Sequence, residues 1–346
     1  MTHPAPLPPT PLPVPPRAAA LPPDATSGGL AFHRLLFARR RRGWWTPLAV
    51  GALGVAFYTV ILVAVIIVVI VASALGGDTV TQRLMEFGED MVIDPSDPIM
   101  LTLLLGTVAV MLPCYLLASR IVNGPRLGLA SSAAGRLRWG WMLRCGAAAA
   151  GLSIVLSAVS MLIPQDGGAP AAGPDPLWAV SLVLVLLLVP VQSAAEEYVF
   201  RGYLMQAIGR WLRHPAWAIL LPVPLFVLGH MYDLMGQLGV GLFAVAAGWL
   251  TWRTGGLEAA IALHVVNNLS AFLLGIVTGA NPVASSTDWV SFVWSFLLIG
   301  GYTALVEWLM RRRPLPRTLI LTPPPAPVPL PPPVWPPAPA PAPAVG

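Results

Sequence analysis

An all-α fold is predicted for this chain: a polytopic transmembrane helical bundle of about eight spans, flanked by disordered, proline-rich tails. Three observations predict it. Of 346 residues, 56% are hydrophobic and 10% charged, whereas a soluble domain carries about 25% charged residues. The apolar residues come in long blocks, and roughly 20 in a row form a helix that crosses a bilayer core of ~30 Å. The arginines gather at alternate ends of successive blocks, as the positive-inside rule requires.

The ends of the chain are different in kind. Residues 1–30 open on "PAPLPPTPLPVPP", and residues 314–346 close on "PPAPAPAPAVG". Segments of this composition bury little apolar surface and lean towards extended polyproline II, so both read as disordered tails. Between them, 31–313 is the transmembrane domain. Its first block, from Trp45 to Leu75, follows Arg39, Arg40, Arg41 and Arg42. It is longer than the 7–15 apolar residues of a signal peptide. Ala72-Ser73-Ala74 resembles a cleavage site, but the block reads as an uncleaved anchor.

The expected spans are 47–75, 98–119, 139–163, 177–208, 216–232, 237–253, 257–278 and 288–310. Loop 76–97 holds Asp78, Glu86, Glu89, Asp90, Asp94 and Asp97 with one arginine, whereas loop 120–138 holds Arg120, Arg126, Arg136 and Arg138 and no acid. Loop 164–176 has two aspartates and no arginine, and the last span ends in Arg311, Arg312 and Arg313. Both termini are then expected in the cytoplasm, with the chain in the plasma membrane. No internal repeat suggests an inverted-repeat transporter.

Net charge is +5 with a pI near 9.8. The basic groups mark helix ends, so nucleic acid is not expected as a partner; the bilayer is. Cys114 and Cys145 both fall within apolar blocks, which argues against a disulfide framework or a cysteine zinc site.

An ionisable residue inside a span costs at least ~2.5 kcal/mol on insertion scales and persists when paired or functional. Three places stand out. "AAEEYVFRGYL" puts Glu196, Glu197 and Arg201 at the end of a long apolar run. Positions four apart share a helix face, so Glu197 and Arg201 can pair. Glu196 is then a spare carboxylate suited to general acid–base work. "LFVLGHMYD" places Phe226 four residues before His230, with Asp233 three residues on, where it could orient the imidazole. "ALHVVNNLSAF" sets His264 and Asn268 on one face of the seventh span, with Asn267 expected to point elsewhere. That pair could donate to a developing oxyanion or serve as polar glue between helices. The costly groups lie in order on three spans, which implies one pocket.

These motifs resemble the CAAX prenyl protease and bacteriocin-processing (CPBP, Abi) family of intramembrane proteases. The family pattern of EExxxR, then FxxxH, then HxxxN is met by Glu196-Glu197 to Arg201, by Phe226 to His230, and by His264 to Asn268. The likeness covers about 180–275, within a core at about 177–278. It implies a hydrolase whose Glu196 activates water with help from His230. It also implies that Glu197 and Arg201 hold the site together, and that His264 and Asn268 stabilise the tetrahedral oxyanion. Implied substrates are membrane proteins or lipidated peptides. HExxH, GxSG and a GxGD partner are absent, so other intramembrane protease types fit less well.

No cofactor is required on the glutamate reading. Glu196, His230 and His264 could instead hold a divalent ion such as zinc, although Arg201 nearby disfavours a cation. A non-catalytic scaffold or immunity-type binding protein on the same fold is the alternative function; a channel or transporter ranks third. Two geometric expectations remain. His230 falls nearer the far side of the bilayer than Glu196, so either the fifth span tilts or breaks, which Pro190, Pro222 and Pro224 permit, or the span bounds differ from those given above. The pocket is expected to open towards the cytoplasm.

Overall fold

The computed structural model describes residues 21–76, 81–82, 85, 97–162, 177–278, 287 and 289–321. Most of the acidic loop 76–97, loop 164–176 and the outer parts of both tails lie outside these residues.

The helices are α1 (Thr46–Gly76), α2 (Pro98–Ala109), α3 (Met111–Asn123), α4 (Trp139–Ser160), α5 (Trp178–Glu197), α6 (Met205–Trp211), α7 (Pro215–Leu220), α8 (Pro222–Leu228), α9 (Leu234–Thr254), α10 (Glu258–Thr278) and α11 (Trp289–Arg312). A π-helical turn, Tyr198–Leu204, joins α5 to α6. Helices α2 and α3 form one span with a fault at Val110. Pro113 has no N–H to offer the carbonyl four residues earlier, Ala109, and its ring crowds that carbonyl. Among the described residues, seven helices are long and apolar enough to cross a membrane. Outward-facing Val60, Ile70, Leu143, Ile154, Leu187 and Val290 are all exposed, as residues facing lipid tails must be. The chain is an integral membrane protein.

The fifth expected span departs from the pattern. Pro215–Leu228 is a shorter apolar segment, broken at Leu221 into α7 and α8. At 1.5 Å per residue it reaches about 21 Å, short of the ~30 Å hydrocarbon core. Pro222 and Pro224 each remove a backbone donor, which is why the helix restarts there.

Helix α10 is the axis of the bundle. Its first turns, Glu258 to His264, are wholly buried. Ala259, Ala260 and Ala262 present little side chain, so α4, α5 and α9 can approach its backbone closely. The Tyr302 hydroxyl of α11 donates to the Ala259 carbonyl at 2.7 Å.

The arginine-bearing end is closed by a compact polar layer. Phe32–Ala38 is a 3-10 segment buried along its whole length. It crosses α6 so closely that a Cβ on Gly209 would collide with the His33 carbonyl. Glu258 receives the backbone N–H of Arg138 at 2.9 Å, its Nε at 2.8 Å and its Nη2 at 2.6 Å. The tail boundaries expected at residues 30 and 314 need correction. Leu30–Ala31 and Thr318–Leu319 pair as a two-stranded antiparallel ribbon, β1 and β2. Leu321 N–H also donates to the Ala25 carbonyl at 2.8 Å. Ala25 and Leu30 are fully buried. Their apolar contacts override the local composition that reads as tail.

Candidate active site

The site is built where α5 passes into the π-helical turn. Such turns appear mostly as single insertions in α-helices, often at functional sites. Here the turn carries Arg201 and follows directly on Glu196 and Glu197. Arg201 Nη1 donates to Glu197 Oε1 at 2.8 Å, with both side chains buried. Its Nη2 donates to the Ala244 carbonyl of α9 at 3.1 Å. The guanidinium lies over the ring of Phe226, 4.6 Å from its centroid, and 5.7 Å from that of Phe243. The i, i+4 pair expected from the sequence is formed, and the bond from Arg201 to Ala244 ties this segment to α9.

His264 of α10 enters between the two glutamates. Neighbouring residues on an α-helix point about 100° apart, and the two nitrogens of one imidazole face apart in a similar way. His264 Nδ1 lies 2.8 Å from Glu197 Oε1, and Nε2 lies 3.1 Å from Glu196 Oε2. The Nδ1 contact is a hydrogen bond. Its acceptor already belongs to an arginine pair, so Nδ1 carries the proton. The Nε2 contact has ion-pair distance but misses hydrogen-bond geometry. Oε2 of Glu196 and Oε2 of Glu197 are both buried without a hydrogen-bond partner among the described residues. Glu196 is the more open of the two carboxylates, 12% exposed in its side chain against 0% for Glu197.

His230 sits just beyond α8, and its Nδ1 lies 2.8 Å from the Phe226 carbonyl. A carbonyl only accepts, so Nδ1 is the donor, and Nε2 of the neutral ring is left as an acceptor. Phe226 touches both imidazoles, with centroids 4.8 Å from His230 and 6.2 Å from His264. It is therefore the wedge that sets their separation. No hydrogen bond between His230 and Glu196 is formed among the described residues.

A cavity of about 180 Å³ adjoins the cluster. Its walls include Phe226, His230, His264, Asn267 and Asn268, with Tyr232 and Gly236 towards one end. Glu196 is not among the lining residues; it stands behind the lining residue His264, with its Oε2 3.1 Å from Nε2 of that ring. The phenol of Tyr232 is pushed above its ordinary pKa, first by burial and then by the negative charge of Glu196, so it remains a proton donor. Asp233 caps α9. Its carboxylate accepts from Gly236 N at 2.8 Å and Thr287 N at 3.0 Å, and these donors hold it below the usual aspartate range. Asp233, read from the sequence foremost as a loop residue and only alternatively as a partner of His230, is thus a helix cap.

Three further expectations change. Asn267 lines the cavity rather than pointing away, and its Nδ2 donates to Asn268 Oδ1 at 3.2 Å. Both nitrogens of His264 face carboxylates, so the ring presents no spare N–H to an oxyanion. The cavity reaches outwards through Tyr232, Met235, Gly236 and Thr287, at the arginine-poor helix ends. It does not face the arginine-bearing end, where buried residues 257–264 close the way. Residues missed from the sequence are Gln192, which accepts from Asn268 Nδ2 at 3.2 Å, and Phe243, 4.8 Å from the His264 ring. Gln192 stands four residues before Glu196 in an apolar run, a signal that could have found it. Phe243 is apolar among apolar residues and gives none.

Glu196, His230 and His264 are not gathered as metal ligands: among the described residues no three His, Cys, Asp or Glu side chains are grouped to hold a metal ion. The arginine behind Glu197 also disfavours a cation.

Comparison with known proteins bears on the same segment. An uncharacterized protein of Bacillus subtilis (strain 168), YyaK, is 34% identical over 109 residues, which is 30% of this chain and 36% of that protein. The match therefore spans about a third of the relative's length. No solved structure matches. Residues 176–270 match the family model described as type II CAAX prenyl endopeptidase Rce1-like. The stretch similar to that family holds Glu196, Glu197, Arg201, His230, His264 and Asn268 together.

Proposed function

We propose that this protein is an intramembrane endopeptidase that hydrolyses peptide bonds of membrane-associated or lipid-modified proteins with a glutamate-activated water. The observation that carries the reading is His264 held between Glu196 and Glu197, with only one of the two carboxylates taken by Arg201. One proton can then sit on Nε2 of His264 or on Oε2 of Glu196. Such a pair can take a proton from water as its oxygen bonds to the scissile carbonyl carbon. It can return that proton to the amine as the C–N bond breaks. His230 Nε2 is an acceptor that can orient the water. The side-chain amides of Asn267 and Asn268 have N–H groups left for the tetrahedral oxyanion, a role typically worth 10²–10³ in rate, or about 2.7–4 kcal/mol. The catalytic assignments of Glu196, His230 and Asn268 follow the family resemblance; Asn267 is added because it lines the cavity.

The test is a comparison of membrane-protein termini in cells carrying the native chain or Glu196→Gln at equal abundance. Termini present with the native chain and lost with the variant support proteolysis and identify substrates. Identical termini with a preserved cellular phenotype would return the chain to the scaffold reading. Two further outcomes are expected. Purified activity should persist after treatment with a strong chelator, and loss restored by added zinc would overturn the metal-free reading. Gly239 lines the cavity, and a Cβ there would meet Phe292 Cδ2 at an ordinary 3.9 Å. Gly239→Ala should therefore remain active, whereas Gly239→Leu should fill the cavity and lose turnover with thermal stability unchanged.

A further inference from the structure

We infer that the cavity is entered from the extracytoplasmic face, and that the substrates are membrane-anchored polypeptides cut on that side. The substrate class rests on the endopeptidase reading; the sidedness does not. Two independent features point the same way. The first is the shape of the site. The cavity extends to Tyr232, Met235, Gly236 and Thr287, where α9 and α11 begin. Asp233 ties these two helix starts together through Gly236 N and Thr287 N. In the other direction the cluster stands on a closed floor. Glu197, Leu257, Glu258, Ala259 and Ala260 are all fully buried, and Tyr302 bonds across to the Ala259 carbonyl.

The second feature is charge. Helices α1, α4 and α10 end, and α2, α5, α9 and α11 begin, on the cavity side, and in the sequence between those ends (76–97, 161–177, 229–233 and 279–288) Arg83 is the only arginine or lysine. Arg39, Arg126, Arg138, Arg213, Arg253 and Arg312 belong to the opposite end. Arginine near span ends marks the cytoplasmic side, so the cavity side is the outer one. Leu228, Met231 and Leu234, next in the chain to the cavity residues His230, Tyr232 and Met235, are exposed at 76%, 71% and 71%. An apolar rim of this kind favours a substrate already held in the outer leaflet over a freely soluble one.

Cysteine labelling in intact cells tests sidedness without using activity. Cys114 and Cys145 are buried, so the parent chain supplies the background. Thr287→Cys and, should that variant fail to accumulate, Met231→Cys are expected to react with a membrane-impermeant maleimide from outside. Arg213→Cys is expected to react only after permeabilisation. The reverse pattern overturns the inference. Termini lost in Glu196→Gln cells should map to extracytoplasmic segments of membrane-anchored proteins, and cytoplasmic termini would overturn the substrate class. Outside labelling with unchanged termini would instead remove the endopeptidase reading while the sidedness stood.

Discussion

Glu196→Gln is expected to lower proteolysis by roughly 10²–10⁴, the range that a positioned proton-transfer group supplies, while thermal stability in detergent stays close to that of the native protein. The swap keeps the shape of the side chain. Its amide can still rest against Nε2 of His264, 3.1 Å from Oε2 in the native site, but it cannot take up the proton of water. Glu196 has no arginine partner, so its charge can be removed without stranding another. Glu197→Gln should behave differently. It withdraws the carboxylate 2.8 Å from both Arg201 and His264 and leaves a buried guanidinium unpaired. Breaking a buried pair from one side costs about 3–5 kcal/mol, so activity and stability should fall together. A peptidase assay and a melting curve on the two variants separate a catalytic glutamate from a structural one. Activity of Glu196→Gln within about tenfold of native would remove it as the base, because that loss is below the usual contribution of such a group.

The distinction between these glutamates shows how much of the site was legible in the chain. Sequence spacing gave the Glu197–Arg201 pair, because residues four apart on a helix meet whatever surrounds them. It also gave the ordered placement of Glu196, His230 and His264 on three apolar segments. It did not say which carboxylate His264 would approach, and the ring approaches both. Helical periodicity reports which face of a helix is buried and not which end is walled off, so it does not tell that the cavity lies towards the arginine-poor helix ends. Asn267 was misplaced for a related reason: a cavity between α9, α10 and α11 is wide enough to be lined by adjacent residues. The broken fifth span was legible through Pro222 and Pro224, and its shortness through the short apolar block that carries it. The ribbon of Leu30–Ala31 with Thr318–Leu319 joins segments far apart in the chain, and nothing local distinguishes such residues from a tail.

The same limit governs Arg138, which reads in the sequence only as a marker of orientation. In the folded chain it is a clamp. Its backbone N–H, Nε and Nη2 all donate to the fully buried Glu258 carboxylate. Its Nη1 reaches the carbonyls of Thr254 at 3.1 Å and Pro316 at 3.3 Å. One guanidinium thus joins the start of α4, the end of α9, the start of α10 and the segment after α11. Arg138→Met should cost about 3–5 kcal/mol, because it strands a buried carboxylate at the base of the helix that carries His264. Arg138→Lys should recover little of this, since an ammonium cannot reproduce a planar fork aimed at two carboxylate oxygens and two carbonyls. Adding Glu258→Gln to Arg138→Met should restore part of the loss, because the stranded charge is then gone. Thermal unfolding of the three variants in detergent reads the effect. A melting temperature for Arg138→Met equal to that of the native protein would mean that water reaches Glu258 and that the arginine-bearing end is not sealed. In that case the closed floor beneath His264, on which the one-sided entry of the cavity depends, would have to be abandoned as well.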